Sequence, residues 1–163
     1  MISTETASIV INSMTQELTL NLAQASVKTY PVSTSKYGLG ELSGSFCTPR
    51  GKHIIRAKIG QGVPVKGVFI GRRFTQEIYS PELASAHPDR DWILTRILWL
   101  SGMEPGFNRL GKVDTMRRYI YIHGTPETEP LGYPASHGCV RMSNQDILEL
   151  FDRVEPGCLV NIV

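Results

Sequence analysis

Residues 118–163 read RYIYIHGTPETEPLGYPASHGCVRMSNQDILELFDRVEPGCLVNIV. Apolar and polar residues alternate over residues 118–123, which predicts a strand with one buried face. Ser143 is a good helix N-cap, and the apolar periodicity that follows predicts a helix that the Pro-Gly pair at 156–157 ends. The apolar run over residues 158–163 then predicts a final strand.

Upstream of this stretch, short apolar runs alternate with turns. Gly and Pro residues recur between positions 37 and 67 and interrupt any longer element. Short strands at this spacing favour a sandwich or barrel over parallel βαβ units. The β-branched and aromatic content of residues 93–100 favours a strand over a helix, and the polar, Pro-containing residues 72–91 predict a surface loop beside a cleft. The other predicted strands are residues 8–11, 17–22, 26–32 and 53–59.

Length and composition restrict the class of protein. The chain has 163 residues, of which 41% are hydrophobic and 20% charged, which is typical of one soluble globular domain spanning residues 1–163. A net charge of +2 is too balanced to indicate nucleic-acid binding. No apolar window approaches the length of a transmembrane helix, so we expect no membrane partner.

The first residues, MISTETASIVINSMTQELTL, lack the cationic start and unbroken apolar run of a signal peptide. We therefore expect a cytoplasmic protein, or a periplasmic one if this sequence is part of a longer exported chain. Three cysteines, Cys47, Cys139 and Cys158, are an odd number, so at least one is not paired within the chain. Cys47 and Cys158 have no histidine near them in sequence and are expected to be small buried side chains.

Cys139 lies among residues that suit a nucleophile. His137 precedes it by two positions, and His123 lies further upstream. A neighbouring imidazole can accept the thiol proton, because the thiolate and not the thiol is the reactive species. Gly138 allows close approach of main-chain N–H groups to an oxyanion, and the guanidinium of Arg141 suits a substrate carboxylate.

These residues resemble the catalytic core of the YkuD-like L,D-transpeptidase family. His123-Gly124 and Ser136-His137-Gly138-Cys139 match the family's histidine-glycine and Ser-His-Gly-Cys motifs. Residues 32–34 (VST) and 48–51 (TPRG) lie where the family has its N-terminal motif, and the resemblance runs from about residue 8 to the last residue. It implies a mainly β fold, a β-sandwich of two mixed sheets with one main helix after the catalytic cysteine.

The resemblance also implies roles for individual residues. Cys139 would be the nucleophile and His123 its general base, oriented by the carbonyl of Gly124. The remaining predicted site residues are the oxyanion and orienting residues Ser136, His137 and Gly138, and the substrate-binding residues Arg141 and Tyr133, although packing is the more ordinary role of such a tyrosine.

The implied reaction cleaves the bond between diaminopimelate and the terminal D-alanine of a peptidoglycan tetrapeptide through a thioester. Because we expect a cytoplasmic protein, water is the preferred acceptor, which predicts an L,D-carboxypeptidase acting on muropeptides in murein recycling. Transfer to an amine, giving cross-links in cell wall biogenesis, is the alternative. No cofactor or metal is expected, and carbapenems are expected inhibitors.

Two further alternatives come from other classes of protein. His123, His137 and Cys139 could bind a catalytic zinc ion, although the spacing of known zinc helices is missing. The chain could also be a muropeptide-binding domain without activity. Among the remaining polar residues, His53 and His87 and the arginine pairs at 72–73 and 117–118 are expected to lie on the solvated surface.

Overall fold

The computed structural model describes residues 7–22 and 26–163, so part of the segment inspected for a signal peptide, residues 1–6, lies outside it. The described residues form ten strands, two α-helices and a short 3₁₀ turn at Gly111–Val113. The strands and helices in chain order are β1 (Ser8–Asn12), β2 (Glu17–Leu22), β3 (Ser26–Pro31), β4 (Gly51–Ile59), β5 (Gly67–Ile70), β6 (Arg73–Ile78), α1 (Pro81–Ala86), β7 (Ile93–Gly102), β8 (Tyr121–Thr125), β9 (Val140–Ser143), α2 (Asn144–Arg153) and β10 (Leu159–Ile162).

Backbone ladders connect these strands in one curled mixed sheet. Its main path runs β3-β2-β1-β10-β4-β7-β5-β6, and β8 and β9 branch from β7. Two pairings are parallel, β1 with β10 and β8 with β9, and the first of them joins the two ends of the chain. The predicted mainly β class is therefore confirmed, and the sheet branches at β7 because this strand pairs with β4, β5 and β8.

Helix α2 packs against β7, β8 and β9. The hydroxyl of Ser143 accepts a hydrogen bond from the Asp146 N–H (3.1 Å), as the N-cap prediction requires. Ile147, Leu150 and Phe151 point into the main core, which they share with apolar residues of β1, β2, β4 and β7–β10. The helix thereby fixes the strands that carry the site.

The prediction of a surface loop over residues 72–91 is wrong in its detail. Residues 73–78 form β6, which pairs with β5 because the short turn after Ile70 reverses the chain. Helix α1 follows, with the Ser80 hydroxyl accepting from the Leu83 N–H (3.1 Å). Within residues 72–91, only the residues outside β6 and α1 are irregular. Among them, residues 88–91 lie at the site described below.

The strand predicted over residues 118–123 begins later than expected. Residues 118–120 belong to the turn before β8, and the strand extends instead through Thr125. The strand predicted over residues 93–100 is confirmed as β7, which continues to Gly102.

Some polar residues expected in solvent are buried. His53 on β4 is fully buried, with its ring nitrogens bonded to the Gly51 carbonyl (2.9 Å) and the Thr115 hydroxyl (3.0 Å). Arg72 is half-buried, donates to the Tyr121 hydroxyl (2.9 Å) and stacks on Trp99. The contacts with Thr115, Tyr121 and Trp99 could not be predicted, because these partners lie far from His53 and Arg72 along the chain. Within the described ranges, no helix is both long and apolar enough to cross a membrane.

Candidate active site

Strands β8 and β9 lie side by side, and their two faces have different environments. In the parallel ladder Ile122 pairs with Val140 and His123 with Arg141. Ile122 and Val140 point into the main core, so their neighbours along each strand point to the opposite face. That opposite face carries His123 and Arg141. The backbone alternation therefore separates packing residues from the predicted site residues.

Cys139 immediately precedes β9, opposite Tyr121, and packs against the small cluster that contains Tyr121. Residues two apart on a strand are separated by about 6.6 Å, and neighbouring strands by about 4.8 Å, so Cys139 and His123 are diagonal neighbours on this face. The structure thus brings together the two residues that the sequence predicts to be nucleophile and base.

His123 is held in a single orientation. Its Nδ1 lies 2.7 Å from the carbonyl oxygen of Gly124, which can only accept a hydrogen bond. Nδ1 therefore carries the proton in neutral His123, and Nε2 is left as the acceptor. Burial lowers the pKa of His123 below its usual value, so the imidazole is neutral at pH 7 and able to act as a base. Gly124 is required there, because a Cβ would lie 2.6 Å from the Leu94 carbonyl oxygen.

The Cys139 thiol is half-buried. The Tyr121 N–H donates to Sγ (3.3 Å), and the thiol donates to the Tyr119 carbonyl (3.5 Å). Burial raises the pKa of Cys139 to about 12, although the bond from Tyr121 and the nearby Arg141 and Arg118 oppose this rise. Formation of the thiolate therefore requires a proton acceptor at the moment of attack.

The turn before Cys139 is fixed by hydroxyl groups. Ser136 donates to the Cys139 carbonyl (2.6 Å) and accepts from the Gly138 N–H (3.3 Å). The Thr48 hydroxyl donates to the Gly138 carbonyl (2.9 Å). Gly138 has a φ of 128°, a backbone conformation that other residues rarely adopt. In this state the Gly138 N–H is bonded to Ser136, and the N–H that reaches the thiol is that of Tyr121.

The two N-terminal motif segments pack directly against this turn. Ser33 and Arg141 exchange backbone hydrogen bonds of 3.0 and 2.9 Å, and Thr34 accepts from the Ser136 N–H (3.0 Å). Thr48, from the second segment, also binds the Ser35 N–H (3.0 Å). Both segments therefore position the loop that carries the thiol, although they lie far from it in sequence.

Arg141 lines a pocket of about 240 Å³ together with His137, which lies two residues before Cys139. Its side chain is only 6% exposed and donates to Asp91 (3.0 Å) and Glu129 (3.3 Å). The residues lining the pocket are Pro88, Asp89, Arg90, Asp91, Trp92, Thr125, Pro126, Glu129, Ala135, His137 and Arg141. The guanidinium that the sequence predicts to bind a substrate carboxylate is thus already paired with two carboxylates of the protein.

His137 and Tyr133 differ in their relation to this pocket. His137 is exposed at its mouth, with Nδ1 3.7 Å from an Asp91 carboxylate oxygen. The Tyr133 side chain is 64% exposed and is not among the pocket-lining residues, while its carbonyl accepts from the Ser33 hydroxyl (2.7 Å). Tyr133 is therefore not a packing residue in this structure.

The sequence model of the YkuD family, described as L,D-transpeptidase catalytic domain, matches residues 6–162. The chain belongs to this L,D-transpeptidase family. It is 25% identical over 152 residues to probable L,D-transpeptidase YcfS of Escherichia coli, an alignment that covers 90% of this chain and 43% of YcfS. The family resemblance that the Ser-His-Gly-Cys motif indicates is therefore confirmed.

Solved L,D-transpeptidases share the fold. LdtMt1 in complex with imipenem has a TM-score of 0.57 and 19% identity, covering 96% of this chain and 58% of LdtMt1. L,D-transpeptidase 3 of Mycobacterium tuberculosis with a faropenem-derived adduct has a TM-score of 0.54 and 16% identity, covering 96% and 59%. This L,D-transpeptidase chain spans less than two thirds of the length of each of these relatives.

Several residues of this L,D-transpeptidase site were not predicted. Asp91 and Glu129 come from irregular segments with no motif, and Thr48 was noted only as part of a motif. Arg118 was expected on the surface but is half-buried, and it donates to the carbonyls of Gly40 and Glu41 (each 3.2 Å) and Cys47 (2.7 Å). Two adjacent arginines carry no periodic signal that distinguishes a buried side chain from an exposed one.

The zinc alternative gains no support from this geometry. Over residues 7–22 and 26–163, no group of three or more His, Cys, Asp or Glu side chains is arranged to hold a metal ion.

The other two cysteines bond to main-chain oxygens: the buried Cys158 to Ala7 (3.2 Å) and the half-buried Cys47 to Tyr37 (3.4 Å).

Proposed function

We propose that this domain is a cysteine-dependent L,D-carboxypeptidase that removes the terminal D-alanine from peptidoglycan tetrapeptide stems. The observation that supports this best is the placement of Cys139 beside His123, whose free Nε2 follows from the bond between Nδ1 and the Gly124 carbonyl. Membership of the family implies a cysteine-dependent enzyme that modifies peptidoglycan. The substrate bond and the acceptor are part of the proposal.

The first step forms a thioester. The Cys139 thiol turns from the Tyr119 carbonyl toward Nε2 of His123, which takes its proton while sulfur attacks the carbonyl carbon at the L-centre of diaminopimelate. The oxygen becomes an oxyanion, which main-chain N–H groups near Tyr121 and Cys139 stabilise. When the carbon–nitrogen bond breaks, His123 returns the proton to the departing amine of D-alanine.

The second step consumes the thioester. Water attacks its carbonyl carbon while neutral His123 accepts a proton, and collapse of the intermediate returns a proton to sulfur. The products are the tripeptide and free thiol, so every proton taken up is released. Transfer to an amine is a second candidate, favoured by the transpeptidase description of the matching family. The two candidates share the acyl-enzyme and differ only in its acceptor.

One incubation separates these functions. The protein is mixed with disaccharide tetrapeptide and a D-amino acid, and the products are resolved by liquid chromatography with mass detection. We expect tripeptide as the main product from the wild type and none from Cys139→Ala, with Cys47→Ser as the matched control that retains most activity. Predominant exchange or dimer formation would contradict the carboxypeptidase, and a fully active Cys139→Ala would contradict thiol catalysis.

Trapping by β-lactams distinguishes an enzyme from a binding domain without activity. Solved relatives occur with imipenem and with a faropenem-derived adduct. We expect carbapenems and faropenem to acylate Cys139, seen as a mass increase of the intact protein that disappears in Cys139→Ala. An unmodified wild-type protein that still binds muropeptide would favour the binding domain.

The cellular role follows from the acceptor. A hydrolytic enzyme acting on soluble muropeptides would serve murein recycling in the cytoplasm, whereas a cross-linking enzyme would serve cell wall biogenesis and cell shape. Immunoblotting of the full-length gene product in fractionated cells tests this part of the proposal. Recovery in the periplasm or wall fraction would contradict the recycling role.

A further inference from the structure

Arg72 occupies a turn position that does not favour an arginine. Gly71 and Arg72 form the two-residue turn between β5 and β6, and Ile70 and Arg73 pair on either side of it. Both turn residues have a positive φ, 55° for Gly71 and 64° for Arg72. Hairpin turns of this kind favour Gly or Asn, because a Cβ is strained in the left-handed region. Local backbone preference therefore does not account for an arginine at this position.

The side chain of Arg72 reaches from this turn to three aromatic residues beside the thiol. Its guanidinium donates a hydrogen bond to the Tyr121 hydroxyl (2.9 Å). Its Cζ lies 4.7 Å from the centre of the Trp99 ring and 4.6 Å from the centre of the Tyr119 ring. The Trp99 ring in turn lies 6.2 Å from each tyrosine ring, centre to centre. A guanidinium suits this position because it can stack on aromatic faces and donate in its own plane at the same time.

The two tyrosines that Arg72 contacts also provide main-chain partners of the Cys139 sulfur. The Tyr121 N–H donates to Sγ (3.3 Å), and the Tyr119 carbonyl accepts from the thiol (3.5 Å). Tyr119 has a φ of 56°, which bulky residues rarely adopt, and its side chain is 52% exposed, so burial in the core does not hold it there. Strained backbone persists only where surrounding contacts fix it, and Arg72 and Trp99 provide such contacts to this ring.

We propose that Arg72 is a positioning residue for the reaction of Cys139, and that it holds Tyr119 and Tyr121 so that their main-chain groups stay at the sulfur. The inference rests on the proposed function, because it gives Arg72 a part in acylation of the thiol. The hydrogen bond from the Tyr121 N–H favours the thiolate, so displacement of this N–H from Sγ makes the attacking form of Cys139 less available. Arg72 acts through the two tyrosines and does not touch the substrate.

Arg72→Gly tests the proposal without straining the turn. Glycine is favoured at a φ of 64°, so the variant removes the side chain while the turn keeps its geometry. We expect the maximum rate constant of Cys139 acylation by faropenem to fall about 5-fold, and the half-saturating concentration of faropenem to stay at the wild-type value. Arg73→Ala, at the adjacent exposed position, is the matched control and should leave both constants unchanged.

Arg72→Lys is a second variant, which separates the charge of Arg72 from its geometry. Lysine keeps the positive charge but has no planar group that can stack on two rings while it donates to the Tyr121 hydroxyl. We therefore expect the same loss as in Arg72→Gly. Wild-type acylation in either variant would overturn the positioning role. A loss seen only as a higher half-saturating concentration would also overturn it, because Arg72 would then bind the ligand directly.

Alkylation by iodoacetamide tests the inference without the proposed reaction. The labelling rate of Cys139 follows its thiolate fraction, so at a fixed pH below the pKa of the thiol it should fall about 5-fold in Arg72→Gly and stay unchanged in Arg73→Ala. A variant that is only destabilised would be labelled faster, because local opening exposes the thiol. Failure of faropenem to acylate the wild type would count against the proposed function, whereas equal or faster labelling of Arg72→Gly would count against the positioning role alone.

Discussion

Burial raises the pKa of the Cys139 thiol, whereas the Tyr121 N–H, Arg141 and Arg118 around it favour the thiolate. Its sulfur is packed beside Tyr121, and burial holds its pKa at about 12. His123 is neutral at pH 7 because burial lowers its pKa, so in the proposed mechanism the pair is an acid and a base that exchange a proton during attack rather than a standing ion pair. We therefore expect this thiol to resist oxidation and alkylation in the absence of substrate.

This state of the thiol predicts slow, pH-dependent alkylation. Because the pKa of Cys139 is raised to about 12, its thiolate fraction should increase about tenfold per pH unit between pH 7 and pH 10. The rate of iodoacetamide labelling at Cys139, followed by peptide mapping, should rise in the same proportion. A rate that levels off near pH 8 would show instead a thiolate stabilised by the His123 imidazole in the free enzyme.

His53 gives the fold a second pH dependence, distant from the catalytic chemistry. Burial lowers the pKa of His53 to about 4, so the unfolded chain binds a proton at this residue more readily than the folded one. Above pH 6.5 His53 has no effect on the pH dependence of stability, because it is neutral in both the folded and the unfolded chain. As the pH falls from 6.5 toward 4, the free energy of unfolding decreases by up to about 3 kcal/mol. Urea denaturation at several pH values measures the slope.

The control for this prediction is His53→Gln, which retains hydrogen-bonding groups but does not titrate. The variant should start from a lower free energy of unfolding and lose less of it between pH 6.5 and pH 4. Parallel slopes for the wild type and the variant would mean that other groups cause the acid sensitivity.

At the scale of elements, α2 and the strands beneath it are joined by one buried side chain. Asn144, the first residue of α2, donates to the Thr125 carbonyl on β8 (3.0 Å) and accepts from the Thr95 hydroxyl on β7 (2.5 Å). The helix begins where β9 ends, so this amide fixes the end of the strand pair that carries His123 and Arg141. Packing of the apolar helix face alone would leave these polar groups without partners.

Asn144→Ala is therefore expected to lower the free energy of unfolding by about 2 kcal/mol or more, because buried groups of Thr125 and Thr95 lose their partners. Urea denaturation monitored by tryptophan fluorescence measures the loss. Gln145→Ala, at the adjacent exposed position, serves as the control and should cost less than about 0.5 kcal/mol. Equal losses in the two variants would contradict the role of Asn144.

At the scale of the whole molecule, the site depends on contacts between distant parts of the chain. The N-terminal strands β1 to β3 join the sheet through β10, and the segment between β3 and β4 reaches across to the thiol-bearing turn. Arg118 holds that segment in place, because its guanidinium donates hydrogen bonds to the carbonyls of Gly40, Glu41 and Cys47. The planar guanidinium can bind several carbonyls at once, which an ammonium cannot do in the same geometry.

Arg118→Lys is predicted to loosen this connection. We expect the stability to fall by about 2 kcal/mol and the rate of Cys139 acylation by faropenem to fall about 10-fold, because buried carbonyls lose their donors and the turn loses its support. Arg117→Lys is the matched control at an exposed neighbouring position and should behave as the wild type. An acylation rate unchanged in Arg118→Lys would show that the segment is held without this side chain.

The local sequence was sufficient for the features that depend on neighbouring residues. The helix after Ser143 and the strand over residues 93–100 follow from periodicity and capping, which are properties of short segments. The roles of Cys139 and His123 stay a prediction from the motif. Only the tertiary structure decided that Asp91 and Glu129 cover Arg141, that Arg118 and His53 are buried, and that residues 73–78 form a strand. A polar side chain has no periodic signature of its partner, because that partner is brought to it by strands that pair across long stretches of chain.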